Sequence, residues 1–114
     1  MHELGTVRYV IRTVEQICEE QKLTKVASVT LEIGEVSGIL TDYLLDFWKW
    51  VTPKTRYLQG AQLKIKTVDA VTYCDDCGKT YPTVKYGKIC PFCKSEHTWL
   101  LAGNEYNILE MEAM

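Results

Sequence analysis

Histidine is scarce in this chain of 114 residues, which holds only His2 and His97. Two imidazoles are too few for most hydrolytic metal sites. Glycine, at seven residues, forms no phosphate-cradling loop, and no nucleophile stands beside a base in sequence. The chain is therefore expected not to be an enzyme. Long apolar runs are missing too: none approaches the roughly 18 residues that cross a bilayer. The amino terminus lacks a basic region followed by an apolar stretch and a cleavage site, so a cytoplasmic protein without a membrane partner is expected. Nor is there a block of one charge. Thirteen Lys and Arg are scattered among fifteen Asp and Glu, for a net charge of −2, which provides no footprint for nucleic acid.

What is present is a hydrophobic content of 46%, enough for one globular core with a small appended module. Leu4, Val7, Ile11, Val14 and Cys18 recur at three- and four-residue steps and predict a helix to about Gln21. Cys18 continues that stripe and reads as a small core residue, not a reactive thiol. "VASVTLEIG" alternates, with Val29, Leu31 and Ile33 on the buried side, and predicts a strand ending at Gly34. Thr41 is expected to cap a second helix that buries Leu44, Phe47, Trp48 and Val51 before Thr52-Pro53 interrupts it. A second strand alternates from Leu63 and Ile65 and is expected to run on towards Tyr73; "NEYNILEME" supplies a third.

Four of the five cysteines form two C-x2-C pairs, Cys74 with Cys77 and Cys90 with Cys93, separated by twelve residues. With a cytoplasmic protein expected, this pattern favours metal over disulfides. Two knuckles can offer four thiolates tetrahedrally to one ion, and the spacer, with Pro82 and Gly87, suffices for a short two-stranded ribbon. Four thiolates leave no open position for water, so structural Zn(II) is expected. Iron is the rival ion, because "C-x2-C-G" followed by "C-P-x-C" also resembles rubredoxin knuckles; Lys94 stands where that pattern expects glycine. Strands on both sides of the cysteines make the module an insertion. The expected fold is α/β (α+β): a small mixed sheet of about three strands with two helices in residues 1–73 and 99–114, and an inserted zinc ribbon in 74–98.

The amino terminus offers a second donor set. A free amine on Met1, the next backbone nitrogen and the His2 imidazole can close adjacent chelate rings, and Glu3 can add an amide nitrogen or a carboxylate. Such a nitrogen-rich set suits Ni(II) or Cu(II). The blander alternative is a zinc-ribbon interaction module in which His2 has no role.

"MHE" at the start, "LEIGEVSGI", "GAQLKI", the two knuckles with "CPFC" and "GNEYNILEME" together resemble the HypA/HybF family of hydrogenase-maturation nickel chaperones, in order from Met1 to about Glu112. The resemblance implies a transferable Ni(II) cargo on Met1, His2 and Glu3 and structural Zn(II) on Cys74, Cys77, Cys90 and Cys93. It implies as partners a HypB-type GTPase and a hydrogenase large-subunit precursor or its maturation complex, with the chain a monomer or homodimer. Some relatives also serve urease. Where many relatives carry an acidic residue, this chain has Leu40, with Asp42 nearby. His97 is a possible further ligand, its blander reading being a surface histidine.

Overall fold

The apolar stripe between Leu4 and Gln21 folds as helix α1 (Glu3–Gln21), burying Val7, Val10, Ile11, Val14 and Cys18 on one face. The computed structural model describes residues 3–114; Met1 and His2 lie outside the described residues. Cys18 is fully buried. Burial pushes its thiol up, and Glu15 and Glu19 add to the effect, so the core reading holds and nucleophilic thiolate is suppressed. After the helix, Lys22 takes a left-handed backbone (φ 57°) and the Leu23 N–H closes on the Cys18 carbonyl at 2.8 Å.

Strand β1 (Val26–Gly34) buries Val26, Val29, Leu31 and Ile33. Helix α2 (Thr41–Val51) begins one residue differently from expectation: Leu40 holds the cap position and Thr41 is already helical. The cap has no side-chain acceptor of its own. Instead the Leu40 N–H donates to Glu3 Oε2 from α1 at 3.2 Å, placing a carboxylate at the positive end of α2. Leu44 and Trp48 are buried, and the Trp48 indole N–H donates to the Ala61 carbonyl at 2.8 Å. Phe47 and Val51, expected in the core, sit half-buried at its margin.

The strand expected from Leu63 to Tyr73 is two strands. β2 (Gln62–Val68) stops, Asp69 and Ala70 turn the chain, and β3 (Val71–Cys74) enters a different sheet. The remaining elements are β4 (Thr80–Pro82), the single-turn α3 (Thr83–Tyr86), β5 (Thr98–Ala102) and β6 (Tyr106–Ala113). One sheet has the order β2-β1-β6, the other β4-β3-β5. Glu112 on β6 accepts from Ser28 Oγ of β1 at 2.7 Å and from Lys64 Nζ of β2 at 3.0 Å, tying all three strands of the first sheet.

The turn between β2 and β3 lies against Gly103 in close contact. A Cβ on Gly103 would overlap the backbone of Ala70, and one on Gly34 would overlap the Gly103 carbonyl. The Ala70 N–H donates to Glu35 Oε1 at 2.8 Å, and the Val36 N–H to the Gly103 carbonyl at 2.7 Å. Gly103 also has φ 118°, a backbone that side chains resist. We expect Gly103→Ala to cost about 1–3 kcal/mol, read as a lower thermal midpoint; a midpoint within error of wild type would contradict the close approach.

The chain divides into two compact units. One takes the described part of Met1–Glu32 with Ile39–Lys66 and Asn107–Met114, and holds both long helices. The other takes Ile33–Gly38 and Thr67–Tyr106, and holds the β4-β3-β5 sheet and the four paired cysteines. The architecture is a small α+β fold with two three-stranded sheets.

Candidate metal centre

β3 ends on Cys74, and its antiparallel partners β4 and β5 set the frame on which both knuckles hang, with Tyr73 opposite Thr80 on one side and Trp99 on the other. The twelve-residue spacer was expected to form a two-stranded ribbon by itself. It forms one strand and a helical turn, β4 and α3, and the sheet is completed by strands outside it. Three-residue β4 is too short to pair only with its own return; β3 offers a partner already anchored at Ala70.

The two knuckles repeat one backbone pattern. The Cys74 N–H donates to the Lys79 carbonyl and the Gly78 N–H to the Cys74 carbonyl, both at 2.9 Å. Sixteen positions along, Cys90 donates to Ser95 at 3.0 Å and Lys94 donates to Cys90 at 2.9 Å. Gly78 and Lys94 occupy the same place in each, with left-handed φ of 72° and 65°. Lys94 thus keeps the backbone that glycine favours. Lys94→Gly is expected to stabilise the metal-loaded protein by a few tenths of a kcal/mol up to about 1, raising its thermal midpoint; a fall would mean the Lys94 side chain supports the knuckle.

This backbone brings all four sulfurs within 4.8 Å of one another. Cys74 Sγ lies 3.5 Å from Cys93 Sγ, and Cys77 Sγ 3.6 Å from Cys90 Sγ. A tetrahedron with metal–sulfur bonds of about 2.3 Å has edges of about 3.8 Å, so the donor set fits a single ion. Cys74 and Cys90 are buried, whereas Cys77 and Cys93 are exposed, and none of the four is in a disulfide.

Electrostatics favour a cation here. Burial resists the Cys90 thiolate, but backbone N–H groups of Cys93 and Phe92 and the thiols of Cys77 and Cys93 outweigh it, bringing Cys90 down to about 7. Cys93 goes the other way. The Ser95 N–H favours its thiolate, yet burial and the three neighbouring sulfurs push it up to about 12. The sulfurs therefore share protons when alone, and a divalent ion replaces those protons with one charge at the centre.

Around the sulfurs, Tyr81 is buried with Cys74 and Cys90, and its hydroxyl donates to the Gly87 carbonyl at 2.9 Å. A polar clasp that the sequence did not disclose joins the knuckles. Asp76, between the first two cysteines, accepts from Ser95 Oγ beyond the last two, and faces His97 Nδ1 at 3.1 Å. The Ser95 hydrogen bond holds the Asp76 carboxyl below its ordinary range, and burial opposes it only in part. His97 thus faces a carboxylate and, among the described residues, is not grouped with the four sulfurs.

The amino-terminal donor set is described only in Glu3, which begins α1 with its carboxylate on the Leu40 N–H. Met1 and His2 fall outside the described residues. Asp42 is exposed in the first turn of α2, close in sequence to that cap.

A family model described as hydrogenase/urease nickel incorporation, metallochaperone, hypA matches residues 1–113. The chain is 33% identical over 113 residues to the hydrogenase maturation factor HypA of Geobacter metallireducens, covering 98% of each chain. It is 31% identical over 112 residues to the corresponding factor of Dehalococcoides mccartyi, covering 98% of this chain and 93% of that one. Its fold is similar to the solution structure of the Ni metallochaperone HypA from Helicobacter pylori, with TM-score 0.72 and 23% identity, covering 100% of this chain and 98% of the other. A second solution structure, of a HypA protein, superposes with TM-score 0.75 at 23% identity, covering 100% and 97%. Among the described residues no helix is long and apolar enough to cross a membrane.

Proposed function

This chain belongs to the HypA family of hydrogenase and urease nickel-incorporation metallochaperones, and from that premise we propose that it binds Ni(II) at its amino terminus and delivers it for nickel-iron hydrogenase maturation. The observation that carries the reading is the family match over residues 1–113, which includes Met-His-Glu and both cysteine pairs. In this reading the Met1 amine, His2 and Glu3 hold the nickel. Cys74, Cys77, Cys90 and Cys93 hold structural Zn(II), whose chemistry there is to replace thiol protons and cross-link the knuckles.

The two sites suit different tasks. Four thiolates around one ion leave no position for exchange, so the metal stays. A few nitrogens at a chain terminus can be displaced one at a time, so cargo can leave. Glu3, next to His2 in sequence, accepts from the Leu40 N–H and so ties the start of α1 to α2. The protein acts by binding and transfer in the cytoplasm and not as an enzyme. Its partners are a HypB-type GTPase, and the hydrogenase large-subunit precursor or its maturation complex.

The test is a Ni(II) titration by calorimetry at pH 7.5, on untagged protein that retains Met1 and one zinc. Binding of one nickel per chain is expected, with the zinc retained and the zinc-loaded protein colourless. No uptake would sink the chaperone reading and leave a zinc-ribbon interaction module, and a red protein would identify iron on the thiolates.

A further inference from the structure

Helix α2 carries more apolar surface than its core needs. Leu44 and Trp48 face inward. About a quarter turn away, Leu40, Tyr43, Phe47 and Trp50 recur at steps of three, four and three, the spacing of a helix-packing seam. Leu40, Tyr43 and Trp50 are 57%, 54% and 55% exposed, and Phe47 is half-buried between them. At 1.5 Å per residue the stripe runs about 15 Å, or three turns. Lys54 Nζ lies 3.9 Å from the centre of the Trp50 ring, over one face of it, and restricts how the indole is presented.

Charge selects what can cover this stripe. Asp46 is three residues after Tyr43 and four before Trp50, so it borders both on the helix surface. Asp42 stands one turn before it in the same row, and Lys49 lies on the far side of Asp46 from the stripe. Among the described residues neither aspartate enters an ion pair. A second copy packed antiparallel would set Leu40 against Trp50 and Tyr43 against Phe47. It would also bring the two Asp46 carboxylates together at the twofold axis, where like charges repel. A partner with Lys or Arg on that flank meets no such penalty and gains the pairing.

We propose that the Leu40-Tyr43-Phe47-Trp50 stripe of α2 is a docking surface for an amphipathic helix of another protein, one with apolar residues at three- and four-residue spacing and a basic flank set against Asp42 and Asp46. This goes beyond the nickel reading and does not depend on it. The aromatic side chains supply the buried area, and the aspartates set orientation and disfavour antiparallel self-pairing.

The probe is a synthetic amphipathic helix of about 18 residues with Leu on the seam and Lys on both flanks, beside the same peptide with Glu in place of Lys. Binding to the full zinc-loaded chain is followed by the fluorescence anisotropy of the labelled peptide. The Lys helix should bind at least tenfold more tightly than the Glu helix. The double variant Tyr43→Ser/Trp50→Ser should lose at least tenfold, while Asp46→Lys should reverse the preference between the two peptides. Both variants alter exposed side chains, and unchanged thermal midpoints and nickel titrations would separate loss of docking from loss of fold or of the nickel site. Equal binding of the two peptides, no binding, or binding that ignores the variants overturns the proposal. So does a concentration-dependent dimer in sedimentation that Tyr43→Ser/Trp50→Ser abolishes, because a second copy would then be the occupant.

Discussion

Cys90→Ser is expected to release the metal and melt the unit formed by Ile33–Gly38 and Thr67–Tyr106, while the helical unit keeps its fold. Within that second unit the strands are short, four residues in β3, three in β4 and five in β5. One buried cluster in it is Cys74, Tyr81 and Cys90, two of them candidate metal donors, and Ile33 and Ala70 are its other buried apolar residues. Such a core cannot offset the chain entropy of some forty residues at about 1–2 kcal/mol each. A structural zinc site contributes roughly 10–16 kcal/mol of apparent binding free energy, so zinc on the four thiolates would be the largest stabilising element in this part of the chain. The helical unit has an independent core of Val7, Val10, Ile11, Val14, Val29, Leu31, Leu44 and Trp48. Metal content and amide NMR dispersion provide the readout. Residues 67–106 should lose dispersion together with the metal, and chelation of wild type should reproduce the pattern. A variant that holds its full metal and all its dispersion would contradict the four-thiolate site.

The second large effect is expected at the amino terminus. His2→Ala should lower nickel affinity at least a hundredfold, about 2.7 kcal/mol, because it removes the only side chain in the set that is a strong nitrogen donor. The zinc should remain. The wild-type nickel site should also weaken as pH falls through about 6.5, since a protonated imidazole has no lone pair for a metal. The sign follows from competition: protons bind the empty site and not the loaded one, so acid favours release. Calorimetry at pH 7.5 and pH 5.5 checks both effects. An affinity equal at the two pH values, or unchanged in His2→Ala, would remove His2 from the ligand set.

Glu3 introduces a constraint that a linear reading could not contain. In sequence it offers an amide nitrogen or a carboxylate as ligand; in the fold its carboxylate accepts from the Leu40 N–H. Leu40 stands where relatives were expected to carry an acidic residue, and the missing cap side chain of α2 is replaced from another helix. The distance between these residues in sequence explains why no local pattern disclosed it.

Much of the fold was legible because it is local. The helix α1 follows from its apolar spacing, β1 from its alternation, and the knuckles from the two C-x2-C pairs, the first followed by the turn-permitting Gly78. Lys94 shows the limit of reading residue types: a non-glycine at the glycine position suggests a different turn, yet the backbone is the same as at Gly78. The hydrogen bonds of the knuckle, repeated at Cys74 and Cys90, outweigh the conformational preference of one side chain.

By itself the sequence determined the class of fold, the burial of Cys18, and the pairing of cysteines that makes a four-sulfur cluster possible, because each depends on neighbours a few residues apart. Only the tertiary structure decided that β2 and β3 are separate strands in separate sheets, that Asp76 meets Ser95 and His97, that Glu3 caps α2, and that the aromatic row of α2 is left exposed. The physical reason is the same in each case. These outcomes depend on which distant backbone comes close, as Gly103 does to Ala70, and periodicity along a chain carries no record of contacts made across it.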